Sequence, residues 1–141
     1  MRRPSLLITF CALLVAAPSL VEARAADAVK AAADPAAAAQ NFYAHYVALV
    51  EAQKDTKGWV AASSLVTPNF KKTYAKVMGS MEVDADPVLM AQYVPEGPFK
   101  AAKPEIKGDR ASVVLTAGRE KHQVTVTLIR IKGSWRIDSV K

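Results

Sequence analysis

The spacing of apolar residues changes from a helical period in the first part of the chain to a strand period in the last part. In the helical part, an apolar stripe with three- and four-residue spacing predicts one amphipathic helix over about residues 35–53. Asp34 is its predicted N-cap, Pro35 its first residue, and Lys57-Gly58 its exit. The predicted stripe consists of Phe42, Tyr43, Tyr46, Val47, Leu49 and Val50.

A second long helix is predicted after a short apolar segment, Trp59 to Leu65, which is itself expected to form a brief helix or turn. Thr67 is the predicted N-cap of this second helix, Pro68 its first residue and Gly79 its end. Its predicted buried stripe consists of Phe70, Tyr74, Val77 and Met78.

Prolines interrupt any regular period between residues 80 and 105, so this part is predicted to be mostly loop. A turn of helix at Pro87–Gln92 and an extended piece near Phe99–Ala102 are the elements expected within it. A connection of this length in a compact domain is usually a functional loop or contains an unrecognised element.

From Pro104 onward apolar and polar residues alternate, and Gly108-Asp109 and Lys132-Gly133 are predicted turns. The pattern predicts an antiparallel meander of three or four twisted strands. Helices first and strands last predict an α+β fold, in which two or three N-terminal helices pack on one face of a curved antiparallel C-terminal sheet. The other face carries threonine and charged residues, which suits solvent or a binding partner.

The N-terminus has the pattern of a secretory signal peptide. Two arginines precede an apolar run from Leu6 to Ala17, and Ala23-Arg24-Ala25 matches the small-x-small cleavage pattern. We therefore expect residues 1–25 to be a cleaved signal peptide, 26–34 a flexible leader and 35–141 a single domain. Cleavage near Ala25 predicts a periplasmic protein. The apolar run is too short to span a bilayer and no later run approaches that length, so membrane insertion is not expected.

Composition becomes informative once the signal peptide is set aside. The formal charge of the whole chain is +6, and residues 26–141 hold 16 basic and 12 acidic residues. These basic residues are scattered, whereas nucleic-acid binding needs a clustered basic face, so no nucleic-acid partner is expected. The one cysteine, Cys11, lies in the signal peptide, which excludes a thiol nucleophile and thiolate metal sites from the exported chain.

The densest polar cluster contains three carboxylates, those of Glu82, Asp84 and Asp86. Alternate residues of an extended segment share a side, so these groups could converge on a hard cation such as calcium. The calcium-loop pattern fails, however, because Val88 stands at a ligand position. Asp86 before Pro87 is also typical of a residue that caps a short helix. Capping, metal binding and partner contact remain open, and no cofactor is predicted.

Two further sets of residues are candidates for binding or catalysis. Tyr93 and Phe99 flank a proline-stiffened loop, whose rigidity lowers the entropy lost on docking, although a plain surface loop is the alternative. The helical aromatic residues could line a pocket, although core packing is their default role. His45 and His122 have no sequence partner at metal-ligand spacing, and either could act as a general base only if a carboxylate meets it in the fold.

Three features together resemble an exported bacterial family of unknown function. They are Phe42-Tyr43 in the first helix, Asp84-Ala85-Asp86-Pro87 followed by Gln92, and the closing Gly133-Ser134-Trp135-Arg136-Ile137-Asp138-Ser139-Val140. The resemblance covers about residues 36–141 and implies the cone-shaped α+β fold shared with nuclear transport factor 2. Some exported proteins that resemble this family are immunity proteins, which neutralise peptidoglycan-cleaving amidase effectors of type VI secretion.

The resemblance therefore implies a non-enzymatic periplasmic immunity protein whose partner is a cell-wall amidase effector. A rigid loop at residues 82–99 would block the effector's cleft. Two other functions remain open: a small-ligand-binding protein that uses the pocket of the cone, and a small hydrolase or isomerase. The oligomeric state stays open, with a homodimer through the sheet as one alternative, because members of this superfold often pair that way. The predicted partner-binding residues are Glu82, Asp84, Asp86, Gln92, Tyr93 and Phe99.

Overall fold

The computed structural model describes residues 33–80 and 83–141, in which three helices precede five strands. The helices are α1 (Pro35–Glu51), α2 (Thr56–Ala62) and α3 (Pro68–Met78). The strands are β1 (Lys100–Ala101), β2 (Glu105–Lys107), β3 (Arg110–Ala117), β4 (His122–Ile131) and β5 (Ser134–Val140). This arrangement confirms the predicted α+β class. The predicted signal peptide lies outside the described residues, as does Glu82.

The predicted starts of both long helices are confirmed by their caps. The Asp34 carboxylate accepts a hydrogen bond from the backbone N–H of Ala36 at 3.0 Å, and Pro35 follows it as the first residue of α1. The Thr67 hydroxyl accepts one from the backbone N–H of Phe70 at 3.1 Å. Each cap satisfies a donor that the first helical turn leaves without a partner.

The predicted connection between α1 and the short second helix is wrong. The structure ends α1 at Glu51, and Lys57-Gly58 lies inside the first turn of α2 rather than at the exit of α1. The reason is an N-cap at Asp55, whose carboxylate accepts a hydrogen bond from the Gly58 N–H at 2.9 Å. The short helix therefore begins at Thr56, three residues before the predicted segment.

The five strands form one antiparallel sheet in the order β1-β3-β4-β5, and β2 also pairs with β3. The sheet has more strands than the predicted three or four because β3 is long enough to pair with two short strands. Pro104 lies between these two, and a proline cannot donate a hydrogen bond to the neighbouring strand. The extended piece predicted near Phe99–Ala102 is confirmed as β1.

The core lies between the helices and one face of the sheet. Alternate residues of β3 and β4 are buried there, including Val113, Leu115, Val126 and Leu128. The largest buried side chains facing them come from α1 and α3, and they are Phe42, Tyr43, Tyr46, Phe70 and Tyr74. The predicted aromatic stripes are therefore core residues. None of the described helices is long and apolar enough to cross a membrane.

Candidate functional site

Exposed large apolar side chains are concentrated in the loop between α3 and β1, residues 79–99. Val83, Met90 and Tyr93 are exposed there, and the Tyr93 side chain is the most exposed at 83%. The fourth such side chain among the described residues, Ile106, lies on β2. Single exposed apolar residues are ordinary, but three in one loop mark a surface suited to a partner.

The first part of the loop is held by a tight turn around Asp86. One carboxylate oxygen of Asp86, Oδ1, accepts hydrogen bonds from the backbone N–H groups of Val88 and Leu89 at 2.8 and 2.9 Å. The Asp86 N–H also donates to the Ala91 carbonyl at 3.0 Å. Val88 and Leu89 are buried, so the turn inserts two apolar side chains into the core. Asp86 therefore caps a turn, as one of the sequence-based alternatives proposed.

Two buried tyrosines of α1 connect this turn to the core. The Tyr46 hydroxyl donates to the other carboxylate oxygen of Asp86 at 2.7 Å, and the Tyr43 hydroxyl donates to the Val88 carbonyl at 2.8 Å. The Tyr46 and Tyr74 hydroxyls lie 2.9 Å apart, which joins α3 to the same network. Buried hydroxyls need such partners, because an unsatisfied polar group in the core destabilises the fold.

Both tyrosines are held in their neutral form. Burial is the main cause that raises the pKa of Tyr43, and the negative charge of Asp86 raises it further. Burial also raises the pKa of Tyr46, followed by its hydrogen bonds to Tyr74 and Asp86. In both cases a phenolate would lie in the core beside a carboxylate.

These pKa shifts predict that the protein loses stability at high pH. Each tyrosine has a higher pKa in the folded state than in the unfolded state. Its contribution to the free energy of unfolding is therefore complete below about pH 10 and is lost as the pH rises further. Each tyrosine that ionises only on unfolding contributes a slope of up to about 1.4 kcal/mol per pH unit. In urea unfolding between about pH 9 and about pH 11, the free energy of unfolding should decline less steeply with pH for Tyr43→Phe than for the natural chain. Equal slopes would contradict the prediction.

The end of the loop is held by Phe99. Its side chain is only 5% exposed, and its ring centroid lies 4.7 Å from that of Tyr43. The ring of His122, at the start of β4, meets Phe99 edge-on with centroids 6.5 Å apart. The Nε2 atom of His122 lies 2.7 Å from the Leu89 carbonyl oxygen, so β4 also contacts the turn at the other end of the loop.

Residues 90–98, between the buried Leu89 and Phe99, form a ridge with an open groove on each side. The turn groove, of about 600 Å³, is lined by residues 91–96 of the ridge and by the turn between β3 and β4. The α1 groove, of about 540 Å³, separates residues 97–99 from α1. Leu89 and Phe99 fix both ends of the ridge in the core, so the exposed side chains between them are carried on a preorganised element.

The ridge also contacts the β3–β4 turn through a close backbone approach at Gly118. Gly118 has φ +74°, and a Cβ atom added there would lie 3.3 Å from the Glu96 carbonyl oxygen. A side chain at this position would therefore meet both an unfavourable backbone conformation and the ridge.

Gly118→Ala is expected to lower the free energy of unfolding by about 2 kcal/mol, from backbone strain and crowding against Glu96. Gly133→Ala is the matched control, because Gly133 has φ +80° and open space around its added Cβ. The free energy of unfolding of the control should fall only by the contribution from backbone strain, about 1 kcal/mol. Chemical denaturation of both variants measures the difference, and equal losses would show that the contact with Glu96 has no energetic effect.

The structure divides the predicted partner-binding residues into two groups. Asp84, Gln92 and Tyr93 are exposed and available to a partner. Asp86 and Phe99 point inward and position the ridge. The Asp86 carboxylate caps a turn and the Phe99 ring packs in the core, so both make their contacts within the chain. Sequence reasoning missed Met90, an exposed residue in the left-handed conformation at φ 51°. The sequence also indicates the turn at Ala117-Gly118-Arg119-Glu120 between β3 and β4, but not that it borders the ridge in the folded chain.

The two histidines that could have acted as general bases contact backbone carbonyls. The Nδ1 atom of His45 lies 2.8 Å from the Asn41 carbonyl oxygen, and the exposed His45 ring stacks on Trp59. His122 contacts the Leu89 carbonyl, as described above. Within residues 33–80 and 83–141, neither histidine is hydrogen-bonded to a carboxylate. The geometry therefore gives no support to a hydrolase or isomerase built on these residues.

The space that a ligand pocket would need is occupied by core side chains. Phe42 packs against Tyr43, Tyr46 and Phe70 with ring centroids 5.7 to 6.0 Å apart, between the helices and the sheet. This packing counts against a ligand site between the helices and the sheet. Among the residues that the structure describes, no group of three or more His, Cys, Asp or Glu side chains could hold a metal ion.

The outer face of the sheet is the second surface suited to a partner. Thr125, Thr127 and Val114 lie half-buried on this face, opposite the face that the helices cover. Homodimerisation through this face stays a prediction.

Comparison with known proteins places this fold beside chains of a type VI effector–immunity complex. No protein-family model and no curated protein matches the chain. Two chains of solved structures match, both from the type VI effector–immunity complex Tae3-Tai3 of Ralstonia pickettii, one with selenomethionine and one native. The first has a TM-score of 0.65 and 19% identity, and the alignment covers 77% of this chain and 95% of that chain. The second has a TM-score of 0.65 and 20% identity, with 77% and 94% covered.

Both matched chains belong to this effector–immunity complex. The likeness extends over nearly their whole length, and at this level of identity it shows the fold. It confirms the resemblance to type VI immunity proteins that the sequence indicated.

Proposed function

We propose that this protein is a periplasmic immunity protein that binds and blocks a peptidoglycan amidase effector of type VI secretion, without catalysing a reaction. The observation that carries the proposal is the ridge at residues 90–98, preorganised and exposed on a fold shared with immunity proteins. The ridge presents Met90 and Tyr93 to solvent. The signal-peptide pattern at residues 1–25 supports export to the compartment in which the cell wall lies.

A ridge of this kind suits inhibition of an enzyme whose active site lies in a cleft. The hydrogen bonds of Asp86, Tyr43 and Tyr46 hold the turn from which the ridge begins, which lowers the conformational entropy lost on docking. An exposed tyrosine is a favoured central contact, because its large rigid ring buries area and its hydroxyl can form a hydrogen bond. Filling the cleft excludes the substrate without any chemistry by the inhibitor.

Neutralisation in cells tests the proposal directly. A candidate type VI amidase effector is sent to the periplasm of a test bacterium, with and without the full-length chain. We expect the chain to restore growth and to co-elute with the effector in gel filtration. Undiminished toxicity together with no complex would overturn the proposed function.

The ridge itself is tested by Tyr93→Ala. Removing the exposed ring is expected to weaken effector binding by about 30-fold or more, because truncation of a central aromatic contact typically has an effect of this size. Ile106→Ala is the matched control, since Ile106 is also an exposed apolar residue, 52% accessible, but lies on β2 and not on the ridge. Titration calorimetry with the purified effector measures both. Equal affinities of the two variants for the effector would show that the ridge is not part of the interface.

A further inference from the structure

We propose that the effector straddles the ridge, with one wall of its cleft in the turn groove and the other in the α1 groove. The interface would then combine three parts of the chain that are distant in sequence: α1, the ridge and the β3–β4 turn. This inference rests on the proposed function and adds the location of the surrounding contacts.

The size of the ridge shows that it cannot form the whole interface. Its six exposed residues are Met90, Gln92, Tyr93, Glu96, Gly97 and Pro98. A stable protein–protein interface uses about 20–30 residues from each side and buries roughly 800 Å² on each partner. The remaining contacts must come from surfaces continuous with the ridge, and the two grooves are its immediate flanks.

The turn groove offers polar and charged contacts. Arg119 and Glu120 of the β3–β4 turn line it together with Glu96 of the ridge, and all three side chains are exposed. An arginine and two carboxylates can form hydrogen bonds and ion pairs with a protein surface of mixed charge. The carboxylates make a phosphate backbone an unfavourable occupant, so a protein fits this groove better than a nucleic acid does.

The α1 groove offers a smaller and more apolar surface. Ala44 and Ala48 lie on the exposed side of α1, with the half-buried Val47 beside them. The buried rings of Tyr43 and Phe99 also border the groove. Short side chains on the helix allow the wall of a cleft to approach α1 closely, which a long charged side chain at the same positions would prevent.

Each groove has its own test with a matched control, and binding is measured with the purified effector that the chain neutralises. Ala44→Arg, and separately Ala48→Arg, place a long charged side chain in the α1 groove. Ala75→Arg makes the same change on the exposed side of α3. Arg119→Glu reverses a charge in the turn groove, and Arg110→Glu reverses one at the opposite end of β3. Thermal unfolding of each variant checks that the fold is intact.

We expect the variants in both grooves to weaken binding by about 30-fold or more and both controls to stay within about threefold of the natural chain. If the variants in either groove bind the effector as tightly as the natural chain does, the proposal that the effector contacts both grooves is overturned. If Tyr93→Ala abolishes binding while every groove variant binds normally, the straddling proposal fails and the proposed function stands. If the natural chain does not bind the effector, the proposed function itself fails.

Discussion

Replacing Asp86 with alanine is expected to lower the free energy of unfolding by about 3 kcal/mol. The substitution removes the acceptor for the N–H groups of Val88 and Leu89 and for the Tyr46 hydroxyl. Each lost hydrogen bond contributes about 1 kcal/mol, and leaving a buried donor without a partner adds to the loss. Urea denaturation monitored by circular dichroism measures the change.

Asp84→Ala is the matched control, because Asp84 is an exposed carboxylate two residues away. Its effect should stay within about 0.5 kcal/mol, as is usual for surface positions. A loss below about 1 kcal/mol for Asp86→Ala would contradict the assigned role of the turn cap.

The same substitution should also loosen the ridge. Backbone amides of Leu89 and Met90 are expected to exchange with solvent faster in Asp86→Ala, while those of β3 and β4 keep their protection relative to global unfolding. Because the ridge would then be ordered only on binding, affinity for the effector should fall although Tyr93 is unchanged. Unaltered exchange at the turn would indicate that Tyr43 and the buried Leu89 hold the loop without the Asp86 carboxylate.

The elements of the fold could be predicted because their signals are local. The apolar period, the caps at Asp34 and Thr67 and the glycine turns each depend on a few neighbouring residues, and the structure confirms them. The start of α2 was missed although its signal was local as well. Asp55 precedes an unremarkable segment, and Gly58 was interpreted as a helix exit instead of the residue whose N–H completes the cap.

The site was harder to predict because it depends on contacts between distant residues. Whether Asp86 faces solvent or the core is decided by Tyr46, forty residues earlier. From its neighbours in sequence, Phe99 has the pattern of an exposed aromatic residue in a loop. In the folded chain its ring packs against those of Tyr43 and His122. The turn groove exists only because the β3–β4 turn folds beside the ridge. A single sequence contains no record of such pairings, so it indicates a candidate loop without identifying which of its side chains face outward.

Replacing Phe42 with alanine is expected to have the largest effect on stability, a loss of about 4 kcal/mol. Phe42 is fully buried, and its ring lies 5.4 to 6.0 Å, centroid to centroid, from those of Tyr43, Tyr46, Trp59 and Phe70. Truncation removes the apolar contacts and leaves a cavity at the junction of all three helices, which the surrounding rings are too rigid to fill.

Two comparisons separate the effect of this cavity from a general loss of aromatic residues. Phe42→Leu keeps most of the volume and should lose about 1 kcal/mol. Tyr93→Ala removes an aromatic side chain that is 83% exposed and should change stability by less than about 0.5 kcal/mol. Urea denaturation followed by the fluorescence of Trp59 and Trp135 measures all three. A loss below about 1.5 kcal/mol for Phe42→Ala would show that the helices close over the cavity, and that the aromatic cluster contributes less to the core than its burial indicates.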